Sequence, residues 1–332
     1  MPRSAQGAAE FAHGVPHSAH TSRWSAQRYG KDAQVAAKRG ATGRRLELGL
    51  QLRQMRESIV MKNGKPMTRK AAVTGSKLSE AALQRIETGA LNFRNVGDLR
   101  KLLDKYGVTD EDVIETLVEL NRDSSNQDWV TRYRRVMQAG MPTFVGVESE
   151  AREIRVYQPT AVHGLLQTEG YAQAIFDIGK PVEETTTEFC RQNVALRMER
   201  KERVLRREPD PVKLWVILGE AALRHVVGDI EVMREQYEEI TKLSALDHIA
   251  IQVLPLAGRG YRASHDFAIL DLGDGLPPMV QIDTAWGAVS TSDKPREVDR
   301  FKRRFDTMMS SALPPEDTAE FIQRLERELK SH

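Results

Sequence analysis

In the stretch SKLSEAALQRIETGAL, Glu80, Ala81, Gln84, Arg85 and Thr88 fall on one side of a helix and Leu83 and Ile86 on the other, because each helical residue advances by about 100°. The first side carries hydrogen-bonding groups and almost no apolar bulk. That composition suits the edges of DNA bases in a major groove: Gln84 matches adenine, Glu80 accepts from the cytosine amino group, and Ala81 touches the thymine methyl. Ser79 is placed to cap the helix. Thr68, Arg69, Lys70, Lys77, Asn92 and Arg94 flank it at turns, where contacts go to phosphate and fix register rather than sequence. The alternative is a plain helical bundle whose polar side meets only water.

Other residues that could do chemistry are sparse. His163, His225, His248 and His265 are isolated, and His13, His17 and His20 have no acidic or thiol partners nearby, so no metal site is expected. Cys190 is the single cysteine, which excludes an internal disulfide and fits a reducing, cytoplasmic setting. Glu220, Arg224 and His225 are an acid/base candidate, with a helix-surface ion pair as the competing reading. AGRGYRASH contains a Gly-x-Gly but lacks the strand and helix of a phosphate loop. The expectation is a protein that is not an enzyme and uses no cofactor.

The elements that must position the polar helix are legible. The 332 residues carry a net charge of only +2, but residues 1–40 hold six Lys/Arg against two Asp/Glu and residues 41–107 fourteen against six, so the rest carries −10. A basic front suggests a polyanion-binding module. Residues 1–40 have no apolar period and read as a disordered basic arm. Leu48, Leu52, Met55 and Ile59 mark a first helix over 44–58, MKNGKP breaks it, Thr68 starts a second, and Ser79 starts the third. Val96, Leu99 and Leu103 mark a fourth, closed at Gly107, and Val113, Leu117 and Leu120 a fifth. This is an all-α bundle of helix-turn-helix type over 41–125. No run approaches the ~20 apolar residues of a membrane span.

A polar linker, NRDSSNQD, leads to residues 130–332. There Tyr171, Ala174, Ile175 and Ile178 mark one helix, Phe189 to Arg207 a long charged one, and Ile230, Met233, Tyr237, Ile240 and Leu243 another. KLWVIL and IAIQVLPL read as strands, and FAILDL and PMVQID as a hairpin across GDGLP. The class is α+β with a mixed, partly antiparallel sheet. HGLLQTEGYA and GEAALR mix apolar side chains with convergent polar groups, as either a ligand pocket or a docking surface requires.

MTRKAAVTGSKLSEAALQRIETG resembles the helix-turn-helix of XRE-type, lambda-repressor-like regulators. YGVTDEDVIETLVEL, VYQPTAVHGLLQTEGYAQAI, LWVILGEAALRHVVGDIEVMREQYEEI and HIAIQVLPL resemble, in order, blocks of actinobacterial regulators that join this module to a C-terminal domain of poorly known function. The resemblance covers roughly Arg44 to Ser310. It implies an antitoxin-like or developmental transcription regulator that binds a double-stranded operator and is often accompanied by a small partner protein encoded nearby. Because one module of this size reads only a few base pairs, two copies on neighbouring half-sites, a homodimer, are expected. The competing reading is a bundle that binds protein, with the C-terminal domain as the active part. Three departures stand out: a longer loop from Ser58 to Pro66, Ser76 in place of an apolar residue, and Lys77 in place of a small glycine. A lysine in a left-handed turn would cost about 1 kcal/mol.

Overall fold

The structure, a computed structural model, describes residues 41–123, 129–273, 275–284 and 287–330. The expected arm at 1–40, with His13, His17 and His20, and the SSNQD part of the linker lie outside the described residues.

Five helices form the first unit: α1 (Ala41–Ser58), α2 (Arg69–Val73), α3 (Glu80–Glu87), α4 (Val96–Lys105) and α5 (Glu111–Asp123). Leu48, Leu52 and Met55 of α1 meet Ala72, Leu83, Ile86, Leu99, Leu103 and Leu117 in one core. Gly49 lets the α1 backbone lie against the end of α3, since a Cβ there would come within 2.4 Å of the Ile86 carbonyl oxygen. The loop between α1 and α2 is a small hairpin-like excursion. Val60 bridges Pro66, the Met61 N–H donates to the Lys65 carbonyl at 2.9 Å, and the Met67 N–H donates to that of Ile59 at 2.8 Å.

A 3₁₀ turn (Trp129–Tyr133) and α6 (Met141–Glu148) lead into the second unit. Its elements are β1 (Glu153–Gln158), α7 (Glu169–Gly179), α8 (Thr187–Leu205), β2 (Lys213–Gly219), α9 (Glu220–Arg224), α10 (Ile230–Ser244) and β3 (Ile249–Leu254). Then follow β4 (Phe267–Asp271), β5 (Met279–Asp283), β6 (Val289–Ser292), α11 (Pro295–Met309) and α12 (Thr318–Lys330). The six strands make one sheet in the order β3-β2-β1-β4-β5-β6. β1, β2 and β3 run parallel, and β4, β5 and β6 are added antiparallel. The chain is therefore multidomain, an all-α bundle followed by an α+β domain.

Strand alternation sends side chains to two covered faces. Ile154, Val156, Leu214, Val216, Ile251, Val253 and Leu270 join Tyr171, Met233, Ile240 and Phe321 in the larger core. Tyr157, Ile217, Phe267, Ile269 and Val280 meet Val298, Phe305 and Met308 of α11 on the other side. At the outer edge of β3, the Val253 carbonyl accepts from the Leu313 N–H at 2.8 Å and that of Ile251 from the Thr318 hydroxyl at 2.6 Å. At the opposite edge, the Val289 N–H donates to Ala139 at 2.9 Å.

The bundle is seated on this domain. Leu46 and Leu50 of α1 pack against the larger core, and Arg53 pairs with Asp293 at 2.8 Å. The apolar pattern of α1 alone does not reveal this second contact, because Leu46 and Leu50 flank the stripe that faces its own bundle.

Candidate nucleic-acid interface

The geometry of the polar helix follows from its ends. Ser79 caps α3, its hydroxyl accepting from the Ala82 N–H at 3.1 Å, and Thr68 caps α2 by accepting from the Ala71 N–H at 3.2 Å. Leu83 and Ile86 are fully buried, while Glu80, Ala81, Gln84 and Arg85 are exposed. Thr88, which shares that side, is half-buried at the helix end. The face singled out by sequence therefore stands out from the bundle.

The turn between α2 and α3 corrects one expectation. The left-handed residue is Gly75, with φ of 80°, and among the described residues the only non-glycine with positive φ is Glu184. Lys77 is exposed and carries no left-handed strain. Ser76 builds the turn: its hydroxyl donates to the Val73 carbonyl at 2.8 Å and accepts from the Leu78 N–H at 3.2 Å. Leu78, half-buried, supplies the apolar contact to the core. The Lys105 ammonium also binds the Thr74 carbonyl at 2.6 Å, tying α4 to the end of α2.

Beneath the exposed face lies an ion-pair cluster absent from the sequence reading. Glu87, at the last turn of α3, has a fully buried side chain, and its carboxylate accepts from Arg56 Nε at 2.6 Å and from Arg69 Nε at 2.7 Å. Arg56 Nη1 also donates to the Met67 carbonyl at 2.7 Å, so one guanidinium joins α1, the entry to α2, and α3. Burial works to lower the Arg56 pKa, but the hydrogen bond and charge of Glu87 outweigh it and hold that pKa above its usual value. Arg69 is thus half engaged in structure rather than only flanking the interface. No local signal marks Glu87, because Arg56 lies 31 residues away in sequence.

Of the remaining flanking residues, Thr68, Lys70, Lys77 and Arg94 are exposed and Asn92 is half-buried. Arg85, Asn92 and Arg94 come together along a cleft of about 810 Å³ that also includes Arg45, Thr131, Arg134 and Thr143. The loop between α3 and α4 is held there by Asn121 of α5, whose buried amide accepts from the Phe93 N–H at 3.0 Å and donates to its carbonyl at 3.1 Å.

The other candidate chemistry is placed in structural roles. Glu220 pairs with Arg224 at 2.6 Å, and its second oxygen accepts from the Leu256 N–H at 2.8 Å. Arg224 continues to Glu328 of α12 at 2.7 Å, while His225 is exposed. In AGRGYRASH the Arg262 guanidinium binds carbonyls of its own loop, among them Pro255, Leu256 and Gly258, and the next element is a strand. Cys190 is buried.

The HGLLQTEGYA block is fastened internally. Gln167 donates to the Val162 carbonyl at 2.7 Å and accepts from Arg197 at 2.5 Å, and Gln236 binds the Leu166 carbonyl at 2.8 Å. Nearby, Arg200 forms a bidentate pair with buried Glu148 at 2.8 and 2.9 Å. Burial, then the charge of Arg200, lowers the Arg197 pKa to about 10. Among the described residues no group of three His, Cys, Asp or Glu is placed to hold a metal, and no helix is long and apolar enough to cross a membrane.

Comparison with known families agrees with this geometry. Residues 47–117 match a family model described as a helix-turn-helix domain, so the bundle belongs to that class. Residues 141–324, more than half of the chain, match the domain of unknown function DUF5753, and the chain belongs to that family. No curated protein and no solved structure matches it.

Proposed function

We propose that the chain is a sequence-specific DNA-binding transcription regulator that reads base edges with Glu80, Ala81, Gln84 and Arg85 and holds phosphate with the residues around them. The observation that carries this reading is the exposed polar side of α3, capped by Ser79 and backed by the Glu87 cluster, within a helix-turn-helix domain. A helix presented in this way fits a major groove.

The C-terminal domain is regulatory rather than catalytic on this reading, and senses a small ligand or docks a small partner protein. Its seat on α1 through Leu46, Leu50 and Arg53 supports the reading, since a shift of that domain bears directly on a helix that contacts α3. Homodimerisation, a cytoplasmic setting and the antitoxin-like role with a nearby partner are part of the same proposal: the first rests on the few base pairs one module reads, the second on the single cysteine, and the third on the sequence resemblance.

The test is enrichment of bound duplexes from a randomised DNA pool, followed by titration of the enriched duplex at several salt concentrations. A consensus is expected, and log affinity is expected to fall linearly with log salt at about −0.9 per phosphate contact. No enrichment, with affinity indifferent to salt, would favour a bundle that binds protein.

A further inference from the structure

The cleft of about 810 Å³ beside α3 is built by both domains. Arg45, Arg85 and Arg94 come from the bundle, whereas Thr131, Arg134 and Thr143 come from the 3₁₀ turn and α6 that begin the C-terminal part. Asp98 is the single carboxylate among the lining residues. Arg85, Arg94 and Arg134 are exposed and, among the described residues, have no carboxylate within ion-pair distance. We propose that the cleft receives the sugar-phosphate backbone of the duplex read by α3, so that Arg134 of the C-terminal part binds phosphate alongside Arg94 of the bundle.

Four considerations favour this occupant, and the argument rests on the DNA-binding reading above. Arg85 belongs both to the exposed face of α3 and to the cleft wall, so a rod lying on that face continues into the cleft. Duplex DNA carries a negative charge about every 1.7 Å of axis and complements a row of arginines at surface level. The chain's own segment 1–40 is basic, with six Lys/Arg against two Asp/Glu, so its charge does not complement such a cleft. The hydroxyls of Thr131 and Thr143 add neutral donors of the kind that position a backbone without reading sequence.

The consequence is that the DNA footprint spans both domains, and any displacement of the C-terminal domain changes affinity directly. The experiment uses the full chain, with Arg134→Ala, Arg134→Glu, Arg134→Lys and, in parallel, Arg94→Ala, on the enriched duplex and a scrambled one. Arg134→Ala is expected to weaken binding to both duplexes by about 3- to 10-fold near 0.1 M salt and to reduce the salt slope by about one. The ratio between the duplexes and the melting temperature should stay as in the unsubstituted chain, Arg134→Lys should restore most of the loss, and Arg134→Glu should deepen it. If Arg94→Ala weakens binding while all Arg134 variants match the unsubstituted chain in affinity and slope, the duplex does not reach the C-terminal part. That result overturns this proposal and leaves the regulator reading intact. If the unsubstituted chain binds no duplex, both fall.

Discussion

The carboxylate of Glu150, just beyond α6, reaches the N-terminus of α1 and accepts hydrogen bonds from the backbone N–H groups of Thr42 at 3.1 Å and Gly43 at 2.9 Å. First-turn N–H groups have no partner within their own helix, so one domain supplies the cap for the other. Thr42 also rests on Gly146 of α6, where a Cβ would lie 2.1 Å from the Thr42 hydroxyl oxygen. Glu150→Ala is expected to cost about 1 kcal/mol, the usual worth of a cap. Gly146→Ala should loosen the seat, seen as faster hydrogen exchange at the amides of α1 and α6. Unchanged exchange in Gly146→Ala would show that the two helices do not depend on this contact.

Glu87→Ala should be far more damaging than any change on the exposed side of α3. It leaves Arg56, with a side chain only 6% exposed, with no buried carboxylate partner and only the exposed carboxylate of Glu57 at 3.0 Å, and the loss of one partner from a buried pair costs about 3–5 kcal/mol. Urea unfolding measures it. A loss below about 1 kcal/mol would mean that water reaches Arg56 when Glu87 is gone.

Gln84→Ala should act on readout alone. Discrimination between the enriched and scrambled duplexes is expected to drop by about 1–3 kcal/mol, with binding to scrambled DNA nearly unchanged. Because Gln84 is exposed and Leu83 beside it is buried, the variant should keep its melting temperature. Equal losses on both duplexes would remove Gln84 from the base-reading set.

His163 predicts a dependence on pH. Burial, then the positive charges of Arg200 and Arg197, lower its pKa to about 3, whereas a histidine in the unfolded chain titrates near about 6.5. As pH falls below about 6.5 the unfolded state takes up a proton that the folded state refuses, so this stability is present above about 6.5 and lost on the way down towards 3. Its ring Nδ1 accepts from the Leu165 N–H at 3.4 Å, and an asparagine oxygen can take that place. Between pH 6.5 and 4.5 the unsubstituted chain should therefore lose roughly 2 kcal/mol more than His163→Asn in paired urea titrations. Parallel losses would show that His163 is protonated in the folded chain.

The parts of the structure readable from sequence are those specified by neighbours in the chain. Ser79, Leu83 and Ile86 lie within eight residues, and cap and period together define α3. β1 is harder: Ile154 and Val156 alternate correctly, but Glu153 and Arg155 make EIRVYQ look like surface, although it is central in the sheet. β6, VSTS, has a single apolar residue because it is an edge strand and buries little. In α12, Phe321, Ile322 and Leu325 form a readable stripe, yet its packing on the sheet core cannot be inferred from it. At the candidate interface, the polar side of α3 was legible because exposure follows from period. The Glu87 cluster and the cleft were not, since Arg56 lies 31 residues from Glu87 and Arg134 lies 40 from Arg94 in the chain.

The bonds along the sheet's two margins limit how copies of this chain can associate. An unpaired strand margin invites another strand and leads to open-ended stacking at high concentration. Here Leu313 and Thr318 occupy carbonyls on the β3 margin and Ala139 occupies the first amide of β6. These bonds shorten the free stretch on each margin that a second copy could extend by strand pairing, which favours contact through side chains over a growing fibre.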